Sequence, residues 1–266
     1  MTNPPGSFIW YELMTSDPDA AAEFYEPVVG WKFSAHSDPA AGGMDYRMIG
    51  RADGGNAGGM LKLTEDMTAH GARPCWLGYI SVPDVDKAVE AIIGDGGKLQ
   101  MPATDLPVGR IAMVTDPQGA PFYVMKPVPP AGQEAMDSTV FSVDQPQHVR
   151  WNELATSGQD SAIAFYTKHF GWTQPDEMDM GAMGKYRFIH HGGVMLGAVM
   201  NKPQEMPMSA WSFYIGVDDI DRAAKEIEVQ GGKIIRGPHE IPGGEFSLSG
   251  VDRQGAHFGL VGPRKQ

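Results

Sequence analysis

The sequence predicts an α+β chain built from four copies of one small βαβββ module, and three observations carry that expectation. Residues 8–31, FIWYELMTSDPDAAAEFYEPVVGW, match residues 149–172, VRWNELATSGQDSAIAFYTKHFGW, without a gap, Trp10 falling on Trp151, Glu12 on Glu153 and Trp31 on Trp172. A later stretch repeats too, WLGYISVPDVDKAVE from Trp76 against WSFYIGVDDIDRAAKE from Trp211. Within each half the apolar spacing switches twice from strand alternation to helical periodicity, so each half divides once more.

The elements follow in order. Phe8 to Met14 alternates and is aromatic, as a strand should be, and Asp17-Pro18 then supplies an N-cap and a first-turn proline for a helix reaching about Pro27. A Gly-Trp turn and glycine-broken apolar runs around Tyr46 to Ile49 and Ala57 to Leu63 suit strands and hairpins. The second module repeats this order: strand Trp76 to Val82, cap Asp84, helix Val85 to Ile93, a Gly96-Gly97 stop, then strands near Lys98, Ile111 to Thr115 and Pro121 to Met125. Val128 to Gln147, rich in Pro, Gly, Gln and Ser, reads as an exposed linker, which sets domains at 1–127 and 148–266. Two modules sharing their sheets would form a curved half-barrel with a concave face suited to a small ligand.

Composition narrows the class. Hydrophobic residues make up 42% and charged residues 20% of the 266, an ordinary globular balance. A net charge of -12 repels phosphate backbones and anionic lipid, so neither nucleic acid nor membrane is an expected partner. A lone cysteine, Cys75, allows no internal disulfide, and with no basic n-region ahead of an apolar run a cytoplasmic setting is the expectation. No stretch approaches the ~20 apolar residues of a membrane span.

The strand followed by Asp-Pro-Asp, a helix ending Phe-Tyr and a Gly-Trp (Asp17 to Trp31), with Asp-Pro-Gln-Gly at Asp116 to Gly119 and Asp-Arg-Gln-Gly at Asp252 to Gly255, resembles the vicinal oxygen chelate superfamily of glyoxalases, bleomycin-resistance proteins and extradiol dioxygenases. The resemblance covers nearly the whole chain. It implies paired βαβββ modules forming two glyoxalase-like half-barrel domains, often with a divalent metal that holds two neighbouring substrate oxygens. The family's ligand positions on the first strands fall here on Trp10, Leu77, Trp151 and Ser212, and those on the last strands on Tyr123 and Gly259. None is a usual ligand for zinc, nickel or iron, so no cofactor is predicted at these positions; a divalent metal stays possible only with ligands outside them. His190 and His191 are strand neighbours that point to opposite faces and cannot chelate one ion together.

Side chains two apart on a strand share a face, so Trp10 with Glu12, and Trp151 with Glu153, would line the cups. Tyr79 and Tyr214 on equivalent strands, and Tyr123, are candidate substrate contacts. An apolar cup would raise a carboxyl pKa and let Glu12 or Glu153 move a proton beside a carbonyl. The alternative is structural: each glutamate pairs with the repeated Arg47 or Arg187, which are otherwise substrate contacts, and the tryptophans and tyrosines pack the core. Two functions stand side by side. One is a glyoxalase-like lyase or isomerase acting on a small carbonyl or vicinal-oxygen compound; the other is a non-catalytic protein that sequesters an aromatic or cationic small molecule. Four modules in one chain complete two cups, so a monomer suffices and a homodimer is compatible.

Overall fold

The computed structural model describes residues 3–38, 41–129 and 137–265. The first module comprises β1 (Phe8–Thr15), α1 (Pro18–Val29), β2 (Lys32–Phe33), β3 (Tyr46–Gly50) and β4 (Asn56–Lys62), followed by a short α2 (Glu65–Ala69). The second comprises β5 (Cys75–Ser81), α3 (Val85–Gly94), β6 (Lys98–Leu106), β7 (Gly109–Thr115) and β8 (Pro121–Pro127). The third holds β9 (Val149–Thr156), α4 (Gln159–Phe170), β10 (Glu177–Asp179), β11 (Lys185–His191) and β12 (Val194–Asn201). The fourth holds β13 (Ala210–Gly216), α5 (Ile220–Val229), β14 (Lys233–Glu240), β15 (Phe246–Val251) and β16 (His257–Gly262). The strands form two eight-stranded sheets, in the orders β2-β3-β4-β1-β5-β8-β7-β6 and β10-β11-β12-β9-β13-β16-β15-β14. The fold is α+β with four βαβββ modules.

Local chemistry explains the helix ends. The Asp17 carboxylate accepts the Ala20 N–H at 3.1 Å and Pro18 occupies the first turn, satisfying donors the helix itself leaves open. Gly30 and Gly171 close α1 and α4 with φ of 89° and 69°, a left-handed conformation that side chains with a Cβ resist. The sequence pattern missed α2, whose start is set by Thr64 capping the Met67 N–H rather than by apolar spacing. Residues 130–136 of the expected linker lie outside the described residues. Gln147, at its far end, is no free connector: its side chain accepts from Ala52 N and donates to Gly30 O, both at 2.7 Å, and its carbonyl accepts from the Trp31 indole at 2.9 Å. No helix of the described residues is long and apolar enough to cross a membrane.

Contacts gather the chain into two compact units, each drawing on both halves of the sequence. One contains Met1–Ile9, Leu77–Ser138 and Trp151–Ser212; the other contains Trp10–Trp76, Thr139–Arg150 and Phe213–Gln266. The core of the first is aromatic: Trp172, almost fully buried, stacks on Tyr166 with centroids 5.0 Å apart and meets Trp211 edge-on at 5.8 Å. The core of the other gathers the equivalent Trp31, Tyr25 and Trp76 at other angles, Trp31 tilted by 38° against Tyr25 and by 52° against Trp76, with Tyr25 edge-on to Trp76.

A buried polar chain runs through each core. In the first unit the Trp211 indole donates to the Tyr166 hydroxyl (3.0 Å), which donates to Asp116 (3.2 Å), whose other oxygen accepts Gln118 N and Ala120 N at 2.9 Å. In the second, Trp76, Tyr25 and Asp252 repeat it with the same distances, Asp252 capping Gln254 N and Ala256 N. Burial raises both carboxyls above the usual range, outweighing the hydrogen bonds that favour the ionised form. A carboxyl whose folded pKa lies above its unfolded value of about 3.9 binds more protons when folded, so the stability it contributes is full below that value and is lost as pH rises through the raised one. Asp252→Asn should therefore remove a stability term that declines with rising pH. Urea midpoints of both proteins across the acid range would show their difference shrinking as pH rises; a constant difference contradicts the assignment.

Candidate functional site

Glu12 and Glu153 sit on β1 and β9, and the residue that meets each is a tyrosine from the antiparallel hairpin beside it. In the third module the Trp151 indole donates to the Tyr186 hydroxyl at 2.8 Å, and that hydroxyl donates to Glu153 Oε2 at 2.5 Å. In the first module Trp10 donates to Tyr46 at 2.7 Å, and Tyr46 is hydrogen bonded to Glu12. Burial first, then the Glu12 charge, push the Tyr46 phenol well above its usual range, so its proton stays in place and points at the carboxylate. Sequence reasoning missed both tyrosines, although the repeated Tyr46-Arg47 and Tyr186-Arg187 pairs were the available signal.

The arginines go elsewhere. Neighbours on a strand point to opposite faces, so with Tyr46 and Tyr186 turned to the glutamates, Arg47 and Arg187 turn away. Arg47 pairs with Asp19 in the first turn of α1 (2.6 Å) and with Asp45 (3.2 Å). Arg187 repeats this with Asp160 in the first turn of α4 and with Glu177. Glutamate–arginine pairing, one of the two expectations for these residues, is thus replaced by glutamate–tyrosine pairing.

The remaining candidates divide unevenly. Tyr79 and Tyr123 are both buried and stack on one another at 4.2 Å and 15°, directly across the parallel β5–β8 pair. Tyr214 is half-buried and lies over Gly259, its parallel-strand partner, where an added Cβ would fall 2.4 Å from the ring. Cys75 is pushed up to about 12 by burial and the Glu12 charge, which leaves an inert thiol.

The two Trp-Tyr-Glu chains differ in depth. Glu12 is 2% exposed, whereas Glu153 is half-buried. Opposite Glu12 stands Gly59, and opposite Glu153 stands Ala198. The Tyr46 phenol lies directly on Gly59: a Cβ there would fall 2.0 Å from the Tyr46 oxygen. Gly59→Ala is accordingly expected to displace Tyr46, break its bonds to Trp10 and Glu12 and cost about 1–3 kcal/mol, read as a lowered denaturant midpoint. In the third module the equivalent position carries the Ala198 methyl.

The third-module rings also form a surface. The planes of Trp151 and Tyr186 are within 3° of parallel with centroids 6.4 Å apart. An indole N–H lies in its ring plane, so the 2.8 Å bond to the Tyr186 oxygen sets the two rings side by side in nearly one plane rather than face to face. Phe188 stands edge-on to both, at 6.0 and 5.7 Å and 80°. A separate groove of about 500 Å³, bordered by Gly30, Arg51, Asp53, His148, Asp218 and Arg222, contains none of the candidate residues. Its charges are internally paired, Arg51 with Asp53 and Arg222 with Asp218.

The positions where the resemblance places ligands carry an indole, a leucine, a phenol, a serine and a glycine, and among the described residues no group of three or more His, Cys, Asp or Glu is placed to hold an ion. The residues present do not fit the usual centre.

The family model described as the Glyoxalase/Bleomycin resistance protein/Dioxygenase superfamily matches residues 7–124 and 145–248. A relative named "Putative glyoxylase CFP32" from Mycobacterium tuberculosis is 32% identical over 97% of this chain and 95% of its own. The anthracycline biosynthesis protein DnrV of Streptomyces peucetius is 28% identical over 97% of this chain and 93% of its own. Among solved structures, the Mn(II)-bound glyoxalase from Novosphingobium aromaticivorans aligns with a TM-score of 0.62 at 16% identity, covering 98% of this chain and 83% of that one. The 2,2',3-trihydroxybiphenyl 1,2-dioxygenase from Sphingomonas wittichii aligns at 0.63 and 11%, covering 97% and 91%. With the family model spanning both halves and the module order behind it, the chain belongs to the glyoxalase, bleomycin-resistance and dioxygenase superfamily.

Proposed function

We propose that the protein is a glyoxalase-like enzyme that moves a proton on a small carbonyl or vicinal-oxygen compound, using Glu153 or Glu12 as acid and base. The observation that carries this reading is the repeated Trp-Tyr-Glu hydrogen-bonded chain, in which one phenolic proton is aimed at one carboxylate. The relatives named for glyoxylase and anthracycline biosynthesis support a carbonyl-bearing small molecule as substrate.

The chemistry needs only the chain's own groups. On an α-hydroxycarbonyl compound the carboxylate takes the proton from the carbon bearing the hydroxyl, leaving an enediolate, and returns it to the former carbonyl carbon. Proton transfer between the two oxygens completes the shift, so no atom or electron is gained or lost. Tyr46 and Tyr186 hold the carboxylate oxygen that is not working, and Trp10 and Trp151 fix the phenols. Because the donor set does not fit the family metal, no step is routed through one. The reading takes the protein as a cytoplasmic monomer of two glyoxalase-like domains, 1–127 and 148–266, each with a cup for a small molecule.

The test is turnover of a panel of 2-oxoaldehyde hemithioacetals and α-hydroxyketones by purified protein, alongside metal analysis. Turnover lost in the glutamine variants of Glu153 and Glu12 supports the reading. A stoichiometric divalent ion on which turnover depends overturns its metal-free form. Saturable binding with no turnover on any substrate returns the protein to the second reading, a small-molecule binder, which the flat Trp151–Tyr186 surface also favours.

A further inference from the structure

We infer that the third module alone is the working seat, and that its ligand is a flat system of two or more fused aromatic rings bearing one enolic or phenolic hydroxyl directed at Glu153. This rests on the Trp-Tyr-Glu chain being the site and goes on to say which copy works and on what. The copies differ in the depth of the glutamate and in the residue two after the tyrosine. Glu12 is 2% exposed and its phenol is pressed onto Gly59, so a ligand has no approach to the carboxylate without displacing Tyr46. The rings around the two carboxylates are half-buried in both copies, Trp10 and Tyr46 as much as Trp151 and Tyr186, so the depth difference lies in the glutamates: Glu153 is half-buried and keeps surface in contact with solvent. The residue two after the tyrosine is Phe188 in the third module and Met48 in the first, so only the third has a ring standing at 80° as a wall to the indole-phenol surface.

The ligand class follows from that surface. Trp151 and Tyr186, side by side with centroids 6.4 Å apart, present an area wider than one ring, and a single aldehyde or ketone would leave most of it wet. Met178, directly across from Tyr186 in the β10–β11 pair, extends the apolar ground with an adaptable side chain. Glu153 keeps surface in contact with solvent, and the Tyr186 hydroxyl orients its Oε2. A ligand lying on the rings therefore meets an acceptor at its edge, and an O–H suits it where a second anion would be repelled. The net charge of -12 adds to that selection.

The test uses the full chain and 2-naphthol, with 2-methoxynaphthalene as the same rings without the donor and 2-naphthoate as the anion. Calorimetry gives stoichiometry, and the indole N–H NMR signals, assigned by single Trp→Phe variants, report which site fills. The expected result is one 2-naphthol per chain, a shift of the Trp151 signal larger than that of Trp10, and affinity weaker by at least about tenfold for 2-methoxynaphthalene and for Phe188→Met. Two equivalents, or a Trp10 shift as large as that of Trp151, overturn the single-seat assignment. Equal affinity for the methoxy compound or the naphthoate overturns the hydroxyl-to-carboxylate assignment, and no binding overturns both. Binding as expected with no turnover on the carbonyl panel leaves this inference standing and removes the enzyme reading. Turnover that depends on Glu153 without 2-naphthol binding does the reverse.

Discussion

Glu153→Gln is expected to lower turnover by about 10²- to 10⁴-fold, the range supplied by a positioned acid or base, while leaving the thermal midpoint within a degree or two. Glutamine keeps the shape of the side chain, and its amide oxygen still accepts the Tyr186 hydroxyl, so the chain Trp151 to Tyr186 to residue 153 survives. What it cannot do is take a proton. Tyr186→Phe is a different lesion: the carboxylate remains but loses the donor that holds Oε2 and the acceptor for the indole N–H. Its turnover should fall less than that of Glu153→Gln, because the carboxylate that takes the proton is still there and only its positioning by the Tyr186 hydroxyl has gone. Steady-state rates of both variants over a pH series measure this. Full activity in Glu153→Gln would remove the carboxylate from the mechanism.

Trp172→Ala should cost about 3–5 kcal/mol, a large share of the roughly 5–15 kcal/mol that holds a domain together. The side chain is 1% exposed, its indole donates to Gly6 O at 2.7 Å, and its ring is flanked by Phe8, Tyr166, Phe170 and Trp211 within 6 Å. Truncation leaves a cavity that this aromatic cluster cannot close and strands a carbonyl acceptor. Trp31→Ala should act similarly through Tyr25, Trp76 and the lost bond to Gln147. Trp172→Phe keeps most of the volume and gives up the N–H, so it should cost well under half as much. Urea unfolding of the three variants gives the comparison; an alanine variant within about 1 kcal/mol of the parent would contradict the anchor role.

The modules were legible because three of the four strand-to-helix junctions carry a capping aspartate, Asp17, Asp84 and Asp219, while the fourth, at Gly158, has no side-chain cap and is found through its match to the first. Trp10 with Glu12, and Trp151 with Glu153, could be placed together because period two along one strand needs no knowledge of pairing. Tyr46 and Tyr186 could not, since they arrive from another strand, and the register of β3 on β4 and of β11 on β12 shifts at a bulge that no local pattern announces. The same gap misdirected Arg47 and Arg187: the Tyr-Arg repeat was visible, but which of the two faced the carboxylate depends on which way the strand is turned. The difference between the two copies was hidden in Gly59 against Ala198, a single methyl whose meaning appears only when a phenol rests on it.

The polar chains in the two cores carry a consequence for synthesis. Tyr25 finds its carboxylate 227 residues downstream in Asp252, and Asp116 waits 50 residues for the Tyr166 hydroxyl. When the nascent first half leaves the ribosome, one phenol and one carboxyl meant for dry interiors have no counterpart yet, and only translation of the rest supplies both. Either duplicate expressed by itself therefore leaves one of these buried groups without its partner.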